Sequence, residues 1–379
     1  MFETLSHLQL QQYWWLLMSV VGSALVFLLF VQGGQTLIDV LGKTENEKTL
    51  VITSIGRKWK STFTTLVVFA AGMFASFPLF YATSFGGAYY AWKLFLLCFV
   101  LQSVAFEFRR KKGNILGART YEYFLYINGF LGTFLLGAAV ATFFTGSNFV
   151  RDAYNLSTWQ TPFYGIEILF NPVNLSLGFA VMFLSRILGA LYLINNVSHD
   201  TIVQRARKQV KINTLLFLPF FLFFLFKILT MNGYAYDPLT KEVFLEPYKY
   251  LNNFLQMPVA LILLLLGVVG VLYGIFISGI KNSIKGIWAT GFGTFLTVLS
   301  LFFVLGYNNT AFYPSSANLQ SSLTIENASA SHFTLTYMSY ISLLLPVILF
   351  YIYIAWRAID KHKMKEEDLQ ASEGDEHTY

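Results

Sequence analysis

Long apolar runs alternate with short polar connections along the whole chain. A helix needs about 20 predominantly apolar residues to cross the hydrocarbon core of a bilayer. Nine runs reach or approach that length: 13–31, 61–83, 88–106, 124–145, 173–194, 212–231, 258–280, 286–306 and 338–356. The second and third share an uncharged stretch from Ser61 to Trp92, too long for one helix, and Ser84-Phe85-Gly86-Gly87 supplies a turn between them. The pattern predicts an all-α integral membrane protein of nine transmembrane helices. Residues 1–363 form a single polytopic membrane domain, and 364–379 form an acidic tail with the composition of a disordered cytoplasmic end.

The polar connections test this count. Lys43, Lys48, Arg57, Lys58 and Lys60 follow the first run, and Arg109, Arg110, Lys111, Lys112 and Arg119 follow the third. Arg205, Arg207, Lys208 and Lys211 come after the fifth, Lys281 and Lys285 after the seventh, and Arg357, Lys361, Lys363 and Lys365 after the ninth. These lie on one side, against Arg151, Lys241 and Lys249 on the other. Because basic residues collect in cytoplasmic loops, the alternation predicts an outside N-terminus and a cytoplasmic C-terminus. A helix missed or added in the middle would destroy it. The outer connections 146–172, 232–257 and 306–337 are the long ones, and long connections in a compact domain usually cap something or meet a partner.

Composition agrees. Only 12% of the residues are charged and 55% are apolar, against roughly 25% charged in a soluble domain. The net charge of +6 sits in topological loops, which gives no reason to expect a nucleic-acid partner. Cys98 is the single cysteine, so no intrachain disulfide framework exists, and its apolar run suits a small core residue. Residues 1–12 hold no Lys or Arg, and the first run lacks a small-residue cleavage site. It is therefore expected to be a mature helix rather than a signal peptide.

Candidate chemistry is sparse. His7, His199, His332, His362 and His377 all fall outside the middle of the runs. A haem inside a helix bundle usually takes an axial His, or His with Met, so His-ligated haem is not expected in this chain. No HExxH, CxxC or Walker-type signature occurs, and no metal site or catalytic residue is assigned. Ionisable groups at membrane depth are costly and draw attention. Glu107 ends the third run beside Arg109 and Arg110, either neutralised by them or serving as a proton-uptake group, and Arg186 lies within the fifth. Lys93 and Lys227 lie nearer run ends, where long side chains reach the interface. Gln32-Gly33-Gly34-Gln35 interrupts the first run with two small residues and two amides, a combination that permits close helix approach and interhelical hydrogen bonds.

These residues resemble subunit II of cytochrome bd-type quinol oxidases across nearly the whole chain. The resemblance is carried by Tyr13-Trp14-Trp15, Ser54-Ile55 with Trp59, Phe77-Pro78 with Tyr81, Ser84-Phe85-Gly86-Gly87 and Phe106-Glu107-Phe108-Arg109. It continues through Asn171-Pro172, Gly189-Ala190 with Tyr192-Leu193, Tyr313-Pro314-Ser315-Ser316, Ser322-Leu323-Thr324-Ile325 and Asn327-Ala328-Ser329. Leu335-Thr336, Pro346 and the charged exit from Trp356 complete it. It implies two four-helix bundles plus one peripheral helix in a bacterial cytoplasmic membrane, paired with a homologous subunit I. That partner is expected to carry two haems b, one haem d and the quinol site. The complex would oxidise quinol, reduce O2 to water and draw protons from the cytoplasm. A small single-helix accessory subunit, membrane lipid and a bound quinone or lipid also fit the resemblance.

The departures bear on proton movement. The family's Asp-Gly-x-x-Asp in the first helix aligns with Gln32-Gly33-Gly34-Gln35, whose amides cannot titrate. Its Trp-Asp before the second helix is Trp59-Lys60 here. Only the Phe-Asp-Tyr-Arg position keeps an acid, Glu107. The proton-path residues carried over are thus Glu107, Gln32, Gln35, Trp59 and Lys60, with Arg186 as a separate intramembrane charge. Two other classes compete: a secondary transporter or channel subunit, which would need a polar midplane site built from broken helices, and a scaffold for an unrelated membrane complex. Pro78 and Pro219 mark candidate breaks for the transporter, without a repeat of interrupted pairs.

Overall fold

The computed structural model describes residues 2–111, 113–361, 363–365 and 367–368. Among them, eight helices are long and apolar enough to cross a membrane, and a bent pair brings the number to nine. They are His7–Gln35, the pair Glu45–Ser76 and Pro78–Gly87, Tyr89–Phe108, Ala118–Thr145, Pro172–Asn196, Asp200–Thr230, Pro258–Gly279, Gly286–Gly306 and His332–Ile359. We call these the first to ninth spans. Among the described residues the named strands form two short antiparallel hairpins, Phe149–Arg151 with Ser157–Trp159 and Gly233–Tyr236 with Val243–Glu246, both in connections.

The second span bends by 119° at Phe77. The residue before a proline is pushed out of the helical region, and Phe77, ahead of Pro78, takes φ −130° and ψ 64°. The expected run 61–83 is therefore not one straight helix. Pro219 behaves differently: it lies inside the unbroken helix Asp200–Thr230, as membrane helices tolerate when neighbours re-satisfy the backbone. That helix also starts well before the expected 212, so Arg205, Arg207, Lys208 and Lys211 sit on helical turns rather than in a loop.

The fifth span is at the centre, with most of its residues from Leu184 to Val197 buried. It crosses the first span where both are glycine. A β-carbon on Gly33 would lie 1.7 Å from the Ser185 carbonyl oxygen, and one on Gly189 2.3 Å from the Gly34 nitrogen. No side chain fits there, which explains the paired glycines in the sequence. The seventh and eighth spans form a second such seam, where a β-carbon on Gly293 would meet the Val271 nitrogen at 2.5 Å.

The long outer connections weld to one another. Tyr313 is buried and stacks on Phe149 with ring centres 5.6 Å apart. Isolated bridges join Ser147 to Ser315, Ala235 to Thr310 and Tyr313 to Leu323. Glu326 accepts from Tyr236 Oη and Lys241 Nζ, each at 2.8 Å. At the opposite end the chain continues past the ninth span. Met364 is buried, its nitrogen donating to the Asn196 carbonyl and its carbonyl accepting from Ser198, both at 2.9 Å. The first residue of the expected acidic tail therefore belongs to the folded unit, while Glu366 and 369–379 lie outside the described residues.

Candidate functional site

The polar interior collects at the basic end of the bundle. Gln32 and Gln35, on the last turn of the first span, are wholly buried. Gln32 Nε2 donates to Gln102 Oε1 of the third span at 3.3 Å. Asn128, where the fourth span loosens into a π-helical segment over Asn128–Gly132, is also buried. Gln32 Oε1, Gln102 Nε2 and both polar side-chain atoms of Gln35 and Asn128 make no protein hydrogen bond. Buried amides without protein partners are what ordered water binds. The cluster orders donors and acceptors but contains no titratable group.

Arg186 stands nearby on the fifth span. Its Nε donates to Asn213 Oδ1 at 2.6 Å, and its guanidinium lies 5.1 Å from the Phe130 ring centre. Its Nη1 reaches the Thr36 carbonyl at 3.4 Å. A backbone carbonyl, an amide and an aromatic face thus surround this membrane-depth charge, and no carboxylate pairs with it among the described residues.

Beyond the cluster comes a charged ring. Arg109 Nη2 meets Glu122 Oε1 at 2.7 Å, with 6% and 2% of the side chains exposed. Arg119 bridges Glu122 at 2.9 Å and Asp39 at 2.8 Å, and Lys48 joins Asp39 at 3.3 Å. The Arg119 hydrogen bond, helped by Tyr126 and Lys48 and opposed by partial burial, holds the Asp39 carboxyl well below the usual carboxylate range. Glu47 closes the helix start as the partner of Thr44 in a capping box and also accepts from Arg205 at 2.8 Å, fastening the sixth span.

The expected residues are only partly brought together. Trp59 stacks on Phe106 at 5.7 Å, and Lys60 lies 5.8 Å from the Trp59 ring centre. Glu107 is exposed and forms no ion pair with Arg109, which turns to Glu122 instead. Of the proposed path, Gln32 and Gln35 lie in the amide cluster, and no hydrogen bond or ion pair joins Glu107 to them among the described residues. Gln102, Asn128, Glu122 and Asp39 escaped the sequence reading. A lone Gln in the apolar run 88–106 was the available signal for the first.

Histidine and metal ligands do not converge. No group of three or more His, Cys, Asp or Glu side chains fit to hold a metal occurs among the described residues. His7 and His332 each bond a backbone carbonyl at 3.0 Å near the outer connections. His362 and His377 lie outside the described residues. Cys98 is buried. An apolar cleft of about 170 Å³ opens among Val26, Val140, Leu184, Phe217, Val271 and Leu301.

The sequence model of the cytochrome bd terminal oxidase subunit II family matches residues 10–359. The chain belongs to the cytochrome bd terminal oxidase subunit II family. Cytochrome bd-I ubiquinol oxidase subunit 2 of Escherichia coli (strain K12) is 29% identical over 358 residues, covering 90% of this chain and 92% of the relative. Cytochrome bd ubiquinol oxidase subunit 2 of Bacillus subtilis (strain 168) is 26% identical over 371 residues, covering 93% and 98%. A chain in the solved structure of bd oxidase from Geobacillus thermodenitrificans shares the fold, with a TM-score of 0.66 and 13% identity over 93% of this chain and 98% of that one. The chain is therefore a subunit of a terminal quinol oxidase, an oxidoreductase, and a multi-pass membrane protein. A cytochrome bd subunit II implies a subunit I partner. The family also displaces the transporter and scaffold readings, and among the described residues one span alone is sharply bent, with no second to pair with it.

Proposed function

We propose that this chain is the haem-free partner subunit of its oxidase, supporting assembly of a haem-bearing subunit I that holds the catalytic centre and the quinol site. Its N-terminus faces outward and its C-terminus the cytoplasm of a bacterial cell, as the one-sided basic connections indicate. The observation that carries the supporting role is the buried amide cluster. Where a proton path through this subunit would run, Gln32, Gln35, Gln102 and Asn128 order hydrogen bonds but cannot exchange a proton at physiological pH. Of the residues carried over from the family's path, Glu107 is the one carboxylate, and it stands exposed at the basic end. The apolar cleft suits the hydrocarbon chain of a quinone or lipid rather than a polar head group.

Glu107→Gln tests this reading. In the purified complex, with haem content measured alongside, quinol oxidation and charge separation are expected to stay at parental levels. A loss of charge separation at normal haem content would place proton entry at Glu107.

A further inference from the structure

The ninth span touches the rest of the chain at both ends and stands away from it between. At the outer end, Tyr13 Oη and Ser342 Oγ share a hydrogen bond of 2.6 Å, and Trp14 Nε1 donates to Ser339 Oγ at 3.0 Å. At the basic end, Trp356 Nε1 donates to Ser61 Oγ at 3.3 Å, and Asp360 pairs with the fully buried Lys58 at 3.1 Å. Between these anchors a groove of about 1330 Å³ separates Leu349 and Tyr353 from Ala24, Phe27 and Leu28 of the first span. Sites for small molecules run roughly 300–1,000 Å³, so the gap exceeds them. Its middle is hydrocarbon.

Its lower end is not. Lys60, Arg357 and Lys361 line it, with the hydroxyls of Ser61, Thr64 and Thr65. Asp360 also borders the groove, but Lys58 takes its charge. No carboxylate among the described residues pairs with Arg357 or Lys361. Trp288 and Trp356 flank the same level, where indole rings settle at a membrane interface.

We propose that this groove binds an anionic glycerophospholipid, its acyl chains along Ala24, Phe27, Leu28 and Leu349 and its phosphate among Lys60, Arg357 and Lys361. The charge selects the occupant. An apolar partner helix would supply the basic rim with no counter-charge, and a zwitterionic lipid would neutralise less of it. The inference stands on the chain's own surface and holds wherever the oxidase takes up its protons.

The experiment uses the complex purified with its natural partner in detergent, with bound phospholipid identified by mass spectrometry. The parent is expected to retain phosphatidylglycerol in preference to phosphatidylcholine when offered both. The double variant Arg357→Gln/Lys361→Gln is expected to bind added phosphatidylglycerol about 25-fold more weakly, at about fivefold for each basic residue near an anionic head group. Ala24→Trp, which fills the apolar floor and leaves the charges, is expected to lower retention of both lipids. Haem content separates lipid loss from misassembly. A photo-cross-linker at Tyr353 in the otherwise unaltered chain decides the matter if a variant fails to assemble: labelling of phospholipid supports the site. Labelling of a polypeptide, equal retention of the two lipids by the parent, or undiminished binding by the double variant overturns it.

Discussion

Arg109 and Glu122 meet at 2.7 Å across the foot of the third and fourth spans, both almost wholly shielded from solvent. Glu122 simultaneously holds Arg119, so one carboxylate serves two guanidinium groups. Removing one member of a buried pair typically costs about 3–5 kcal/mol, because the remaining charge is stranded. Glu122→Ala is expected to destabilise the complex by about that much, with a matching loss of assembled, haem-bearing enzyme. Thermal unfolding in detergent and the haem-to-protein ratio check it. Glu107→Ala, on an exposed side chain, is expected to leave stability within about 0.5 kcal/mol of the parent.

Asp39 adds a pH dependence to the same ring. Its folded-state pKa lies below its unfolded value, chiefly because Arg119 donates to it. The stabilisation is therefore fully present above about pH 4, the ordinary aspartate range, and is lost as pH falls below it toward the depressed folded value. Asp39 is partly exposed, so solvent screening keeps the effect modest. The melting temperature of Asp39→Asn is expected to lie below the parent's at pH 7 and to converge with it as the pH falls below 4. Parallel curves for the two proteins down to pH 3 would show that the ring does not depend on this carboxylate.

The crossing of the first and fifth spans makes a steric prediction. A β-carbon on Gly33 or Gly189 collides with backbone, which cannot rotate away as a side chain can. Gly33→Ala is expected to force the two helices apart at a cost at or beyond the roughly 1–3 kcal/mol usual for overpacking. Gly86→Ala, where nothing lies within 4 Å of the added carbon, is the control expected to assemble normally. Yield of intact complex from membranes gives the comparison.

The spans were legible because crossing a bilayer demands a length of apolar sequence that little else demands. Their internal geometry was less so. Hydropathy runs unbroken through Phe77 and Pro78, and the bend comes from the proline ring's effect on its predecessor. The sixth helix extends into its basic stretch because charges cost little once the helix has left the hydrocarbon. The site shows the same limit. Glu107 and Arg109 are neighbours in sequence, yet residues two apart on a helix point to different sides. Arg109 therefore reaches inward to Glu122 while Glu107 faces outward. Glu122 precedes its apolar run and read as part of a connection. Only the fold brings it beneath Arg109 and Arg119.

The ties of the ninth span also set an order of events during synthesis. Lys58 and Ser61 emerge early, but their partners, Asp360 and Trp356, are among the last described residues to leave the ribosome. Lys58 thus waits through translation of almost the whole chain without its counter-charge. Until that final helix inserts, these two contacts at the basic face cannot form. Closure of the basic face therefore requires the ninth span, because Lys58 and Ser61 find these two partners only there.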